Sequence, residues 1–238
     1  MWDNHRLLDK IATALYTLAA AAIVYALVSA GIRSPVFALR EIEVTGDTAH
    51  TTRAQVQALA ARELRGTFFT LELEQASATF VKLPWVRVAQ VRRVWPNRLH
   101  VTLQEHVPLA RWNGKALVNL QGEVFHAATD ARLPSLVGPE GTSVEMARSY
   151  AGFKDMLAAI GRTPVEVRVS VRRAWQVTLD DGQILELGRQ DLMPRLARFV
   201  AAYRTIVAHV PPGARIDLRY ENGFAIRQPG LRWGEQPA

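Results

Sequence analysis

Residues Leu83–Leu103 read LPWVRVAQVRRVWPNRLHVTL. Leu99, Val101 and Leu103 alternate with His100, Thr102 and Gln104, the period of two that marks a half-buried strand. Val86 to Val94 reads as a second strand, and Pro96-Asn97 predicts the turn between them. Pro84 sets a limit upstream, because the residue before a proline disfavours the helical region. The preceding stretch, LELEQASATFVKL at Leu71–Leu83, is therefore expected to be a helix that stops there. Working further back, Thr52-x-x-Gln55 predicts a capping box, and Val56, Leu59, Ala60 and Leu64 share one helical face. Gly66 is expected at the C′ position of that helix. From Val36, FALREIEVTG places Leu39, Ile42 and Val44 among charged neighbours, as in a strand, and Gly46-Asp47 punctuates it. The order β-α-α-β-β fills about seventy residues.

Downstream the elements are shorter. Val118–Phe125 reads as a hairpin around Gln121-Gly122. Thr142-x-x-Glu145 predicts a second capping box, followed at helical spacing by Met146, Tyr150, Phe153, Leu157 and Ile160, with Gly161 as the stop. Val165, Val167, Val169 and Val171 alternate with Glu166, Arg168 and Ser170, which predicts a half-buried strand. Ala174–Leu179 and Gln183–Gly188 flank Asp181-Gly182, a hairpin signal. A helix carrying Phe199, Val200, Tyr203, Ile206 and Val207 is expected to end before Pro211-Pro212. Ala214–Tyr220 and Phe224–Arg227 flank Asn222-Gly223, the strongest short hairpin signal. Gln228–Ala238 reads as a loose tail.

At the other end, 22 residues from Ile11 to Ile32 carry no charge. As a helix they span about 33 Å, enough for a hydrocarbon core of about 30 Å. Val28-Ser29-Ala30 fits a signal-peptidase site, so a cleaved leader is the rival reading. The run is longer than the usual leader core, which favours an uncleaved anchor. The ten-residue tail before it is short and nearly all of the chain follows it. This favours a cytoplasmic N-terminus, with the large folded part across the membrane.

Composition narrows the chemistry. Of 238 residues, 49% are hydrophobic and 21% charged, which excludes fibrous and disordered classes. There is no cysteine, which removes disulfide frameworks, thiolate metal sites and cysteine nucleophiles. The six histidines, His5, His50, His100, His106, His126 and His209, stand at no ligand spacing of three or four. No GxSxG, HExxH, P-loop, GxGxxG or SxxK string occurs. No catalytic, cofactor or metal site is expected. The net charge of +7 belongs entirely to residues 33–238. Arg92-Arg93 and Arg172-Arg173 stand out, with solvated strand faces as the ordinary reading and an acidic protein surface as the functional one.

The β-α-α-β-β order resembles a POTRA domain, a module that docks other polypeptides. The strings LPWV at Leu83–Val86, VRRVWPNRLHVTLQEHVPLARW at Val91–Trp112 and VTGDTAHTT at Val44–Thr52 resemble the FtsQ/DivIB family of bacterial division proteins. Three more strings are similar to that family: RRAWQVTL at Arg172–Leu179, LGRQDLMPRLARFVAAY at Leu187–Tyr203 and IDLRYENGFAIR at Ile216–Arg227. The resemblance implies a single transmembrane helix, then an α+β chain made of a POTRA domain and a mostly antiparallel sheet domain with helices. The expected boundaries are a cytoplasmic tail 1–10, the membrane helix 11–32, POTRA 36–106, the sheet domain 107–227 and a tail 228–238.

It also implies a non-enzymatic divisome scaffold in the inner membrane, single-pass type II, with its bulk in the periplasm and enrichment at the septum, where it helps coordinate peptidoglycan synthesis. The implied partners are FtsB and FtsL, mainly FtsB, and FtsK and other division proteins through POTRA and the membrane helix. No cofactor and no nucleic acid are implied. A POTRA-bearing component of a secretion or membrane-protein assembly machine is the alternative. A terminal strand at Phe224–Arg227 would offer an open edge for strand addition. On the resemblance, Tyr220, Gly223, Phe224, Ala225 and Ile226 form the docking face, and Arg173 and Arg219 pair with acidic residues of the partner.

Overall fold

The capping box at Thr52 is made in full. The Thr52 hydroxyl accepts the Gln55 N–H at 3.2 Å, and Gln55 Oε1 accepts the Thr52 N–H at 2.9 Å. The computed structural model describes residues 5–34, 37–39, 41–46, 48–206, 210–221 and 223–227. Two units divide the chain, Met1–Glu105 and His106–Ala238. Val36, Arg40, Asp47, Val207, His209, Asn222 and the tail 228–238 lie outside the described residues, as do the first four residues of the expected cytoplasmic tail.

The first unit opens with α1 (His5–Ile32). Its stretch Leu8–Ile32 is long and apolar enough to cross a membrane, and no part of it is buried inside the structure. Then come β1 (Glu41–Gly46), α2 (Arg53–Glu63), α3 (Leu73–Phe80), β2 (Val86–Val94) and β3 (Arg98–Glu105). The sheet order is β1-β3-β2, with β1 parallel and β2 antiparallel to β3. Val56 and Ala60 of α2 and Phe80 of α3 pack on Val44, Ala89, Val101 and Leu103 of the sheet. Each large side chain so buried contributes about 1.5–3 kcal/mol.

Two expectations change here. The first strand begins at Glu41; upstream, Ala38 makes only an isolated bridge to Thr67. Gly66 is not the C′ residue, because α2 closes on Leu64 in extended conformation, two residues earlier. Gly46 does need its freedom: at φ +103° a Cβ would stand 2.1 Å from the Leu103 carbonyl oxygen.

Glu105, at the end of β3, is buried. It accepts the N–H of Thr51 at 2.7 Å and the N–H and Nδ1–H of His50, each at 3.0 Å. The His50 ring stacks on Trp85, centroids 3.7 Å apart. Burial pushes the Glu105 carboxyl up, but the hydrogen bonds from Thr51 and His50 outweigh it and hold the group below its ordinary 4.5.

The second unit runs β4 (Pro108–Trp112), β5 (Ala116–Asn119), β6 (Val124–Phe125), β7 (Ser135–Val137), α4 (Ser143–Ala158), β8 (Pro164–Val169), β9 (Trp175–Leu179), β10 (Ile184–Gly188), α5 (Leu192–Ile206), β11 (Arg215–Asp217) and β12 (Ala225–Arg227). These strands form one sheet in the order β12-β11-β10-β9-β8-β7-β4-β5-β6. Five of its eight pairings are antiparallel, so the sheet is mixed but mostly antiparallel. Parallel neighbours need a crossover, and α4 and α5 supply it for β7–β8 and β10–β11. Met146, Tyr150, Phe153 and Leu157 of α4 share one core with Leu196, Phe199 and Tyr203 of α5 and the inward residues Val167, Val177, Leu185 and Ile216.

The second capping box does not form. Thr142 already has helical dihedrals, and its hydroxyl donates to the Pro139 carbonyl at 2.6 Å. Glu145 pairs with Arg173 instead. The valine alternation also breaks at both ends. A register shift between Pro164 and Glu166 puts Pro164 in the buried row and leaves Val165 exposed. Val171 falls in the β8–β9 turn and is 89% exposed.

Candidate partner-docking site

β12 terminates the sheet, and the ladders show what its free side offers. The Ile184 N–H donates to the Ala214 carbonyl and the Leu218 N–H to the Glu186 carbonyl, each at 2.9 Å. The even-numbered residues of β11 thus turn their main chain to β10. Successive residues of a strand direct these groups to opposite sides, so Arg215 and Asp217 turn theirs to β12, where they face Arg227 and Ala225. Ile226, opposite Ile216, directs its N–H and C=O away from β11, and among the described residues no strand lies beyond it.

Side chains around this edge divide by face. Ile226 shares the side of the buried Ile216 and remains 38% exposed. Ala225 is exposed on the opposite side, in line with Asp217. Phe224 is half-buried, packed edge-to-face against Phe199 of α5. Its ring belongs mainly to the core side of the hairpin. Tyr220 is 59% exposed, and its carbonyl accepts Arg198 Nη2 at 3.0 Å. Gly223 is exposed, with open space where a Cβ would stand.

The two arginines expected to meet a partner are engaged within the unit. Arg219 grips Asp217 as a fork, Nε to Oδ1 at 2.8 Å and Nη2 to Oδ2 at 2.5 Å. That hydrogen bonding lowers the Asp217 carboxyl and raises the Arg219 guanidinium. Glu186 on the neighbouring strand accepts Arg215 Nη1 at 2.6 Å. Arg173, at φ +64°, pairs with Glu145. Gly188 permits the crowding here: a Cβ at its φ of +80° would meet Arg195 Nη1 at 2.7 Å and Arg219 Cγ at 3.1 Å. Sequence reasoning did not find Glu145, Asp217, Arg198 and Phe199 as the residues holding the site. Glu145 and Arg198 stand 28 and 22 residues from their partners, which leaves no local pattern, whereas Asp217 is two residues from Arg219, a spacing that could have suggested the pair.

Among the described residues no group of three or more His, Asp and Glu is placed to hold a metal ion. The arrangement is a sheet end with an outward-turned main chain and exposed Tyr220 and Ile226 beside it. A family model described as Cell division protein FtsQ/DivIB, C-terminal, matches residues 110–219, and one described as POTRA domain, FtsQ-type, matches residues 37–106. The chain belongs to the FtsQ/DivIB family. It is 44% identical over 233 residues to Cell division protein FtsQ of Nitrosospira multiformis, covering 95% of this chain and 99% of that one. The FtsQ of Burkholderia pseudomallei is 44% identical over 98% of this chain, and that of Escherichia coli 34% identical over 79%. Division-family membership replaces the secretion-machine alternative. The apolar helix Leu8–Ile32 fits a membrane-anchored division protein that acts with other division proteins. The C-terminal family match stops at Arg219, so Tyr220 and β12 lie just past it.

Proposed function

We propose that this chain is a non-enzymatic assembly protein of the divisome that receives FtsB, paired with FtsL, by strand addition at β12. The observation that carries this reading is the outward direction of the Ile226 main chain at the end of the sheet. An incoming extended segment pairs with that N–H and C=O, and side chains on either face supply the choice of partner. Tyr220 is the exposed aromatic beside the edge and suits an anchor role. Arg219 and Arg173 exchange Asp217 and Glu145 for carboxylates of the partner. The exchange is inexpensive at the exposed Arg173–Glu145 pair, worth about 0–1 kcal/mol, and costs more at Arg219, whose fork holds the partly buried Asp217.

On this reading residues 1–10 are cytoplasmic and 11–32 span the inner membrane once, in type II orientation. POTRA 36–106 and the sheet domain 107–227 are periplasmic, and 228–238 is a loose tail. POTRA and the membrane helix engage FtsK and other division proteins at the septum, and the assembly coordinates peptidoglycan synthesis.

The test is capture of the periplasmic parts of FtsB and FtsL by the full-length chain and by Ile226→Pro. Proline removes the outward N–H, while Ala225 and Arg227 keep the ladder to β11. The wild type is expected to bind, and a variant of unchanged circular dichroism is expected to lose binding. Equal binding by both would move the site away from this edge, and binding by neither would overturn the partner assignment.

A further inference from the structure

The three-stranded unit has two ends, and exposed aromatic rings gather at the end where α1 arrives. β1 begins with Glu41 opposite Arg98, and β2 ends with Val94 opposite the same Arg98. The β2–β3 turn therefore lies where the chain enters the sheet from α1. Its first residue, Trp95, is 74% exposed. The α2–α3 loop reaches the same end, because Arg93 donates through Nε to the Phe68 carbonyl at 2.6 Å and through Nη2 to the Leu71 carbonyl at 2.5 Å. In that loop Phe68 is buried, whereas Phe69 is 46% exposed and meets Phe37 edge-on at 5.0 Å.

The loop is also tied to α1 itself. Thr67 Oγ1 donates to the carbonyl of Ile32, the last residue of that helix, at 2.9 Å. The Phe68 N–H donates to the Phe37 carbonyl at 2.8 Å in the segment that follows. Ile32 marks the end of the apolar stretch, so a side chain bonded to its carbonyl lies at headgroup depth once α1 crosses a bilayer. Tryptophan prefers that layer, where an aromatic body meets water on one side. Arg33 and Arg65 are exposed nearby in sequence to Ile32 and Thr67, suited to anionic headgroups, with Glu41 as an acidic neighbour of Arg98. Phe68 is buried, whereas Phe69 keeps much of its surface exposed beyond its edge contacts with Phe37 and Phe68, and Trp95 is more exposed still, so the unit leaves this aromatic surface uncovered.

We propose that Trp95 and Phe69 insert into the interfacial layer of the bilayer that α1 spans, making the lipid surface the docking partner of this end of the unit. Two inserted rings beside the helix give three points of attachment. They fix the tilt of the unit and stop it swivelling about the α1 connection.

The absence of cysteine makes the test clean. Single variants Phe69→Cys, Trp95→Cys and Val81→Cys of the full-length chain are labelled with an environment-sensitive fluorophore and placed in nanodiscs of phosphatidylethanolamine and phosphatidylglycerol. Val81 is an exposed control at the other end of the sheet, just ahead of Val86, which pairs with Glu105. Labels at 69 and 95 are expected to emit to the blue of the label at 81 and to be quenched about twofold or more by spin-labelled lipids, with none at 81. Adding Trp95→Ala to the Phe69→Cys chain is expected to reduce the quenching at 69. Emission at 69 and 95 matching that at 81 overturns the proposal. A blue shift without lipid quenching also overturns it, because the rings then contact protein.

Discussion

Phe224 and Phe199 meet edge to face, ring centroids 6.4 Å apart and planes at 79°. The last hairpin is thereby pinned to α5 from the core side, while the backbone of Ile226 stays turned outward. An edge strand held from within resists fraying, which the proposed strand addition requires.

This relationship separates two neighbouring side chains. Phe224→Ala is expected to destabilise the sheet unit by about 1–2 kcal/mol, less than the 3–5 of a fully buried ring because the ring is only partly buried. Tyr220→Ala is expected to leave stability within about 0.5 kcal/mol. Thermal unfolding of the two variants in one detergent gives the comparison. An equal loss of stability from both would place Tyr220 in the core.

The two Thr-initiated helices are expected to respond differently. Thr52→Ala removes a working capping box and should cost about 1 kcal/mol. Glu145→Ala breaks only the exposed pair with Arg173, worth about 0–1 kcal/mol, because no reciprocal cap exists there. Denaturant midpoints of the single variants measure both effects.

Glu105 predicts a pH dependence. Its folded pKa lies below the ordinary 4.5, so its contribution is complete above that value and is lost as pH falls through the folded pKa. The wild type should therefore lose stability more steeply than Glu105→Gln as pH drops from about 6 to about 3. Glu105→Gln itself should be less stable at neutral pH by about 1–3 kcal/mol, since the His50 and Thr51 N–H groups lose a charged acceptor. Parallel acid-unfolding curves would argue against the buried carboxylate as the cause.

Glycine substitutions give a control at the proposed docking edge. Gly46→Ala forces a Cβ against the Leu103 carbonyl at a positive φ and should destabilise by about 2 kcal/mol or more. Gly223→Ala meets open space and should leave the fold unchanged. Calorimetry of both tests the fold, and any loss of partner binding by Gly223→Ala then reports on the edge alone.

Much of the fold was legible because it is local. Leu99, Val101 and Leu103 alternate in the sequence and are all buried in β3. Asp181-Gly182 sits between β9 and β10 as expected, with Gly182 at φ +81°. The same kind of signal is present at Asn113-Gly114, both at positive φ between β4 and β5. That hairpin is not legible in the sequence, because its flanking strands are too short to show a period. The motif at Thr142 shows the converse: the residue types of a capping box are present, but the hydroxyl has a nearer acceptor in the Pro139 carbonyl.

Sequence alone determined what depends on neighbours along the chain: the uncharged run of Ile11–Ile32, the helix and strand periods, the turn dipeptides and the family strings. Tertiary structure decided which strand is last. Strand order follows from the crossovers through α4 and α5, which bring distant segments side by side, and no periodicity encodes it. It also decided that Arg219 holds Asp217, that Arg173 holds Glu145 and that Phe224 rests on Phe199. Charge and size in a sequence state what a side chain can do, and only packing selects the partner with which it does it.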